Sequence, residues 1–235
     1  MEGEERAQIQ SIPTSTSIVH VKQKSSWDCG IACLQMVLQL LGKDVSCLDQ
    51  LVKEMDADQS IWTVDLAYLL SKFSVPSTLY STHLGVQEDY TSIPFYKRRF
   101  NQDKVRVERL MGECKSHGYE CIQRKLTIDE LSDKLVGGKC VIISLVDWNL
   151  MHCTDCSQSP SQMCAKMCSH LGRCVLGTYQ GHFILLTDIS TENDRVTFHN
   201  PGISKGPCFC SLKMFDTART AVGTDEDLLV IERDT

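Results

Sequence analysis

The amino-acid sequence predicts an α+β domain. Helical apolar patterns crowd the earlier part of the chain, and extended apolar runs fill the later part. The later runs are joined by short polar turns, the connection that antiparallel neighbours use. With 235 residues and 42% hydrophobic side chains, a sizeable core is expected. The expected organisation is a lead-in over 1–17 and a single domain over 18–235, with a cysteine-rich insertion at about 148–178.

The elements follow in order. "CGIACLQMVLQLLG" carries apolar residues at Ile31, Leu34, Val37, Leu38 and Leu41, a helical stripe, with Gly42 as a stop. "SCLDQLVKEM" predicts a shorter helix. "IWTVDLAYLLSKF" predicts a third, with Thr63 as its cap and Leu66, Leu69, Leu70 and Phe73 on one face. "STLYSTH" and "YECIQRK" read as strands. The charged stretch 91–117 between them reads as a helix from about Lys104. In "TIDELSDKLVGG", Thr127 with Glu130 makes a capping box and Gly137 ends the helix. "CVIISLVD" is almost wholly apolar, as in a strand buried on both faces. "HFILLTDI" and "RVTFHNPG" predict strands joined by the turn "STEND". "SLKMFDTARTA" predicts a late helix and "LLVIE" a closing strand.

Cys29 stands at a helix start, in "QKSSWDCGIACLQMVLQLLG". A helix N-terminus presents free N–H groups and partial positive charge, so a thiol there is expected to have its pKa lowered. Alone, such a cysteine reads first as a small buried hydrophobe. A nucleophile also needs a base, an orienting group and an oxyanion donor. His182 opens the strand "GHFILLTDI", Asn200 ends the next one in "FHNPG", and Gln23 lies upstream with an amide N–H. Gly30 would let a substrate backbone approach. Asp28 acts against a lowered thiol pKa and can cap the helix. Trp27 would wall the cleft or serve packing alone, Cys33 belongs to the core, and His199 should face away from Asn200 on its strand.

Gln23, Cys29, His182 and Asn200, in that order, resemble the papain-like thiol hydrolases. "DCGIA", "GHF" and "NP" resemble the bacteriocin-leader-processing branch, where an Asp commonly stands at the position of Asn200. The strings "HVKQKSSWDCGIACLQMVL", "SIWTVDLAYLLSKF", "FYKRRF", "YQGHFILLTDI" and "GTDEDLLVIE" resemble the eukaryotic guanylyl cyclase domain-containing proteins, including the plant soluble guanylyl cyclase-like members, over nearly the whole chain. The resemblances imply a papain-like cysteine-peptidase fold, its N-terminal helical part packed on an antiparallel sheet. They imply a Cys29–His182–Asn200 hydrolase centre with Gln23 at the oxyanion. The family label implies instead conversion of GTP to cyclic GMP with Mg or Mn. A third outcome is a peptide-binding descendant without catalysis. No phosphate loop of the GxxxxGK kind is present, and Asp65, Asp129 and Asp133 read as charged helix faces. Lys97, Arg98 and Arg99 could meet phosphates but read first as a solvated basic face.

The formal charge of −6 argues against nucleic acid or an anionic membrane as the main partner. No apolar run reaches the ~18 residues of a spanning helix. The start "MEGEERAQIQSIPTSTS" lacks the pattern of a secretory signal, so the expected compartment is the cytoplasm or nucleus. There the 13 cysteines read as thiols, metal ligands or a nucleophile. Cys153 and Cys156 form a CxxC, and Cys164 and Cys168 a CxxxC. Four such thiolates can hold a structural zinc and close a long loop. The expected partner is a peptide or protein substrate, or GTP under the cyclase alternative, and the expected state is a monomer.

Overall fold

The structure is a computed structural model that describes residues 18–57, 59–97, 99–154 and 179–233. Helices α1 (Cys29–Leu40), α2 (Leu48–Glu54) and α3 (Thr63–Lys72) come first. Strand β1 (Thr78–Ser81) is followed by α4 (Pro94–Lys97), α5 (Phe100–Gly112), α6 (Cys114–His117) and β2 (Glu120–Gln123). Then come α7 (Ile128–Leu135), β3 (Cys140–Asp147), β4 (Gly181–Ser190), β5 (Arg195–His199), β6 (Cys208–Cys210), α8 (Leu212–Arg219) and β7 (Leu228–Glu232). The seven strands form one sheet in the order β2-β1-β7-β3-β4-β5-β6. β1 and β2 run parallel and the other neighbours antiparallel. The fold is α+β, as the sequence predicts.

Side-chain alternation divides the core in two. Val141, Ile143, Leu145, Phe183, Leu185 and Leu229 face α1, α3 and α5. Ile142, Val146, Ile184, Leu186, Phe198 and Val230 face α7 and α8. Every position of β3 except Asp147 is therefore buried, which is why its sequence shows no polar alternation. The closing strand β7 is present as expected and lies between β1 and β3, with Leu229 opposite both Leu79 and Ile143.

Local chemistry sets several boundaries. The Thr127 hydroxyl accepts the Glu130 N–H at 3.2 Å while the Glu130 carboxylate accepts the Thr127 N–H at 2.8 Å, the predicted capping box. Gly137, at φ 70°, stops the chain just beyond α7. Helix α5 begins at Phe100, four residues before the predicted Lys104. The reason is that Phe100, Asp103, Arg106, Val107 and Leu110 form a buried stripe, two of whose members are charged. Arg106 donates to both carboxylate oxygens of Asp65 at 3.0 and 3.1 Å and to Asp103 at 3.0 Å. Asp65 is thus fully buried, not part of a charged face, whereas Asp129 and Asp133 are exposed as expected. Burial raises the Asp65 carboxyl above its ordinary range against the pull of Arg106.

Residues 18–22 pack across the end of β5. The His20 Nε2–H donates to the Ile203 carbonyl at 2.9 Å, which leaves His20 Nδ1 to accept from His199 Nδ1–H at 3.2 Å. The rings stack with centroids 5.5 Å apart, and the buried His199 Nε2 has no partner among the described residues. Burial first and His20 second lower the His199 pKa to about 4. A folded-state pKa below the ordinary ~6.5 means that the unfolded chain takes up the proton first. The stability due to neutral His199 is complete above ~6.5 and is lost as pH falls toward the folded value. Denaturant melts of wild type and His199→Phe at about pH 7 and about pH 4.5 should show the variant losing about 2–3 kcal/mol less on acidification.

Candidate active site

Cys29 is the first residue of α1, and the helix has no side-chain cap there. The Asp28 carboxylate instead accepts the Lys24 N–H at 3.0 Å and the Ser25 N–H at 2.9 Å, folding the loop that delivers the thiol. Gly30 serves packing, not substrate approach. A Cβ at this position would meet Phe183 Cδ2 at 2.9 Å and Leu66 at 3.2 Å, so glycine lets α1 lie close on β4. Cys33 is fully buried, its thiol donating to the Phe183 carbonyl at 3.6 Å.

The Cys29 side chain is buried among protein atoms yet lines a cleft of about 230 Å³. Trp27, Trp62, Tyr96 and Phe183 wall this cleft, and Asp225 and Asp227 also border it. The expected lowered thiol pKa is reversed. Burial pushes Cys29 up to about 11, and the Asp28 charge adds to the rise. The Phe183, Gly30 and Cys29 backbone N–H groups pull the other way without overcoming it. A partial positive charge at a helix end does not match the cost of taking a thiolate out of water.

His182 opens β4 opposite Val146, on the sheet face of the second core, and its ring lies against Trp148 with centroids 4.8 Å apart. Asn200 follows β5, placed by the antiparallel β4–β5 pairing. Asn200 Oδ1 lies 2.8 Å from the Gly202 backbone N–H, which identifies it as an acceptor. His182 Nε2, 2.9 Å from the same oxygen, therefore carries a proton, and Nδ1 is left as the basic nitrogen. Burial lowers His182 to about 4 against the opposing effect of Asn200. The sequence order thus brings His182 and Asn200 into hydrogen-bond contact. Cys29 is brought to the backbone of Phe183, the next residue, but among the described residues' hydrogen bonds none joins its thiol to the His182 ring.

Gln23 lies beside this pair. Its N–H donates to the Pro201 carbonyl at 2.8 Å, and its side chain lies near Gly202. The Nε2 amide, expected to await an oxyanion, donates to the Ser25 carbonyl at 2.6 Å, and Oε1 is buried without a partner among the described residues. His199 faces away from His182, toward His20.

The sequence reading missed Asp225 and Asp227. Tyr90 donates to Asp225 Oδ1 at 2.5 Å, and the Gln87 amide donates to the same oxygen. Asp227 is buried, accepts from Thr63 at 2.5 Å through Oδ2, and is raised to about 7 by burial and by the Asp225 charge. Thr63 therefore does not cap α3 but holds Asp227, and Asp65 accepts the Trp62 N–H in the cap's stead. The available signal was "DEDLLVIE", carboxylates leading directly into an apolar strand.

Of the proposed zinc ligands, Cys156, Cys164 and Cys168 lie outside the described residues. Cys153 accepts the Phe209 N–H at 3.4 Å. Among the described residues no group of three or more His, Cys, Asp or Glu side chains could hold a metal ion. Among them, too, no helix is long and apolar enough to cross a membrane.

The chain is similar to known proteins in sequence and in fold. A family model described as guanylylate cyclase matches residues 18–231. Guanylyl cyclase 1 of Arabidopsis thaliana is 35% identical over 222 residues, covering 94% of this chain and 78% of that protein. A solved structure described as a C39-like peptidase from Bacillus anthracis is similar over 96% of this chain and 98% of its own, with TM-score 0.52 and 12% identity. At that identity the likeness concerns the fold, and the fold is papain-like.

Proposed function

Because the chain belongs to the guanylylate cyclase family and is built on a peptidase-like fold, we propose that its cleft is a thiol centre that cleaves an amide, isopeptide or thioester bond. The observation that carries this reading is the His182–Asn200 bond one residue from the strand backbone that meets Cys29. His182 Nδ1 takes the Cys29 proton as sulfur bonds to the acyl carbon. The acyl bond to the leaving group then breaks, and the same proton passes to that group. Water next attacks the thioester and releases Cys29. The Cys29 backbone N–H receives the oxyanion, joined by Gln23 once its amide exchanges the Ser25 carbonyl for the substrate.

The resting pair is neutral. Burial raises the thiol to about 11 and lowers the imidazole to about 4, so proton transfer between them is uphill at rest. Charge separation therefore belongs to the substrate complex, where new donors stabilise it, and unliganded catalytic contacts are commonly loose. At about pH 7 an alkylating agent should modify Cys29 about 100-fold more slowly than an ordinary thiol.

An acyl vinyl sulfone followed by peptide mass mapping tests the assignment. The adduct should map to Cys29, disappear in Cys29→Ala and persist in Cys33→Ala. Equal labelling of the two variants would sink the proposal. The name of the Arabidopsis relative favours a second reading, conversion of GTP to cyclic GMP. Mass spectrometric detection of cyclic GMP from GTP with Mg or Mn, undiminished in Cys29→Ala, would decide for it.

A further inference from the structure

Asp227 is 7% exposed and borders the same cleft as Cys29. Thr63 occupies Oδ2, whereas Oδ1 has no partner among the described residues. Among the described residues the groups acting on this carboxyl are the Thr63 and Ser81 hydroxyls and the Asp225 carboxylate, and no cation is among them. Arg99 lines the cleft as well, with its Nε on Gln102 Oε1 at 3.0 Å. An acceptor buried without a donor is destabilising, more so if it is charged. A ligand that satisfies it recovers that cost.

The walls narrow the chemistry. Trp62 and Tyr96 stand with ring centroids 4.9 Å apart, and Tyr90 stacks on Tyr96 at 5.1 Å. The Tyr96 hydroxyl is spent on the Gly223 carbonyl at 2.7 Å, so the residue offers the cleft its ring. Aromatic faces attract cations and cover alkyl stems. The buried Trp62 Nε1–H also has no partner among the described residues, and it suits a carbonyl oxygen. An acceptor at the base, aromatic walls and a donor on one wall fit a peptide residue that ends in a cation.

We propose that Asp227 is the specificity residue of this cleft, receiving on Oδ1 the guanidinium or ammonium of an arginine or lysine side chain whose stem lies along Trp62 and Tyr96. The assignment rests on the cleft being the one in which Cys29 acts. A carboxylate–guanidinium contact here is charge-assisted and shielded from water.

Binding of N-acetyl-arginine amide and its uncharged counterpart N-acetyl-norleucine amide to the full chain, measured by calorimetry, tests this. Cys29→Ala is measured beside wild type, so recognition is read apart from thiol chemistry. In each protein the arginine amide should bind at least about tenfold more tightly than the norleucine amide. Between about pH 6 and about pH 8 the arginine affinity should rise about tenfold as Asp227 ionises, and the norleucine affinity should not. Asp227→Asn should abolish both the preference and the pH dependence. Should that variant fail to fold, the wild-type pH dependence decides. Equal affinity for the two amides, a preference that survives in Asp227→Asn, or a flat pH profile would overturn the proposal. A preference for arginine without any adduct on Cys29 would uphold it while removing the acyl-transfer reading.

Discussion

His182→Ala should slow acyl transfer to Cys29 by about 10³-fold, within the range that a positioned general base contributes. The thiol at about 11 does not ionise by itself near neutrality, so removing the base leaves only rare thiolate. Single-turnover acylation by an activated acyl ester, followed by intact mass, reads the effect. Asn200 divides the role further. Its Oδ1 holds both the His182 Nε2–H and the Gly202 N–H, fixing the tautomer and the turn after β5. Asn200→Ala frees the ring and should cost about 10–100-fold in rate. Asn200→Asp keeps both acceptor contacts and adds a negative charge, which favours the imidazolium. Its rate should stay within about tenfold of wild type, while the acid limb of the pH profile moves upward as the His182 pKa rises from about 4. If His182→Ala acylates as fast as wild type, the imidazole is not the base.

Features that local chemistry decides were legible. The Thr127–Glu130 box, the Gly137 stop and the apolar run of β3 each depend on neighbours in sequence or on one strand's burial. The His182–Asn200 contact was legible because two antiparallel strands with a short turn bring their far ends together. What failed depends on parts distant in the chain. Gly30 faces Phe183 and Leu66, so its purpose lies in a helix–sheet contact and not in the loop around it. Thr63 looked like a cap, but its hydroxyl points to Asp227. Cys29 has the helix-end position that lowers a thiol pKa, yet the packing above it sets the sign. A charged residue shows no periodicity that distinguishes a buried ion pair from a wet face, and so Asp65 was misread.

That ion-pair group yields the largest stability effect. Arg106→Ala should destabilise the protein by about 3–5 kcal/mol, the cost of removing one partner of a buried pair. In a chain of this length that lowers Tm on the order of 10 °C. Arg106 is 8% exposed, Asp65 0% and Asp103 1%, so the variant leaves two carboxylates in the core without their cation. Water cannot replace it readily, because Ser60 and Asp103 close the other side through a 2.5 Å hydrogen bond. Double-mutant thermal melts separate charge from packing. In the Arg106→Ala background, Asp65→Asn should restore part of the loss, whereas in wild type the same change should destabilise. The effect should also reach the cleft. Asp65 holds the Trp62 N–H at 2.9 Å, and Arg106 holds the Ser60 carbonyl at 2.8 Å. Ser60, Trp62 and Thr63 line the cleft, and Thr63 positions Asp227. At temperatures where Arg106→Ala remains folded, acylation of Cys29 should therefore lose saturation before maximal rate. An Arg106→Ala protein with wild-type Tm and wild-type saturation would show that this triad carries neither the wall nor the fold.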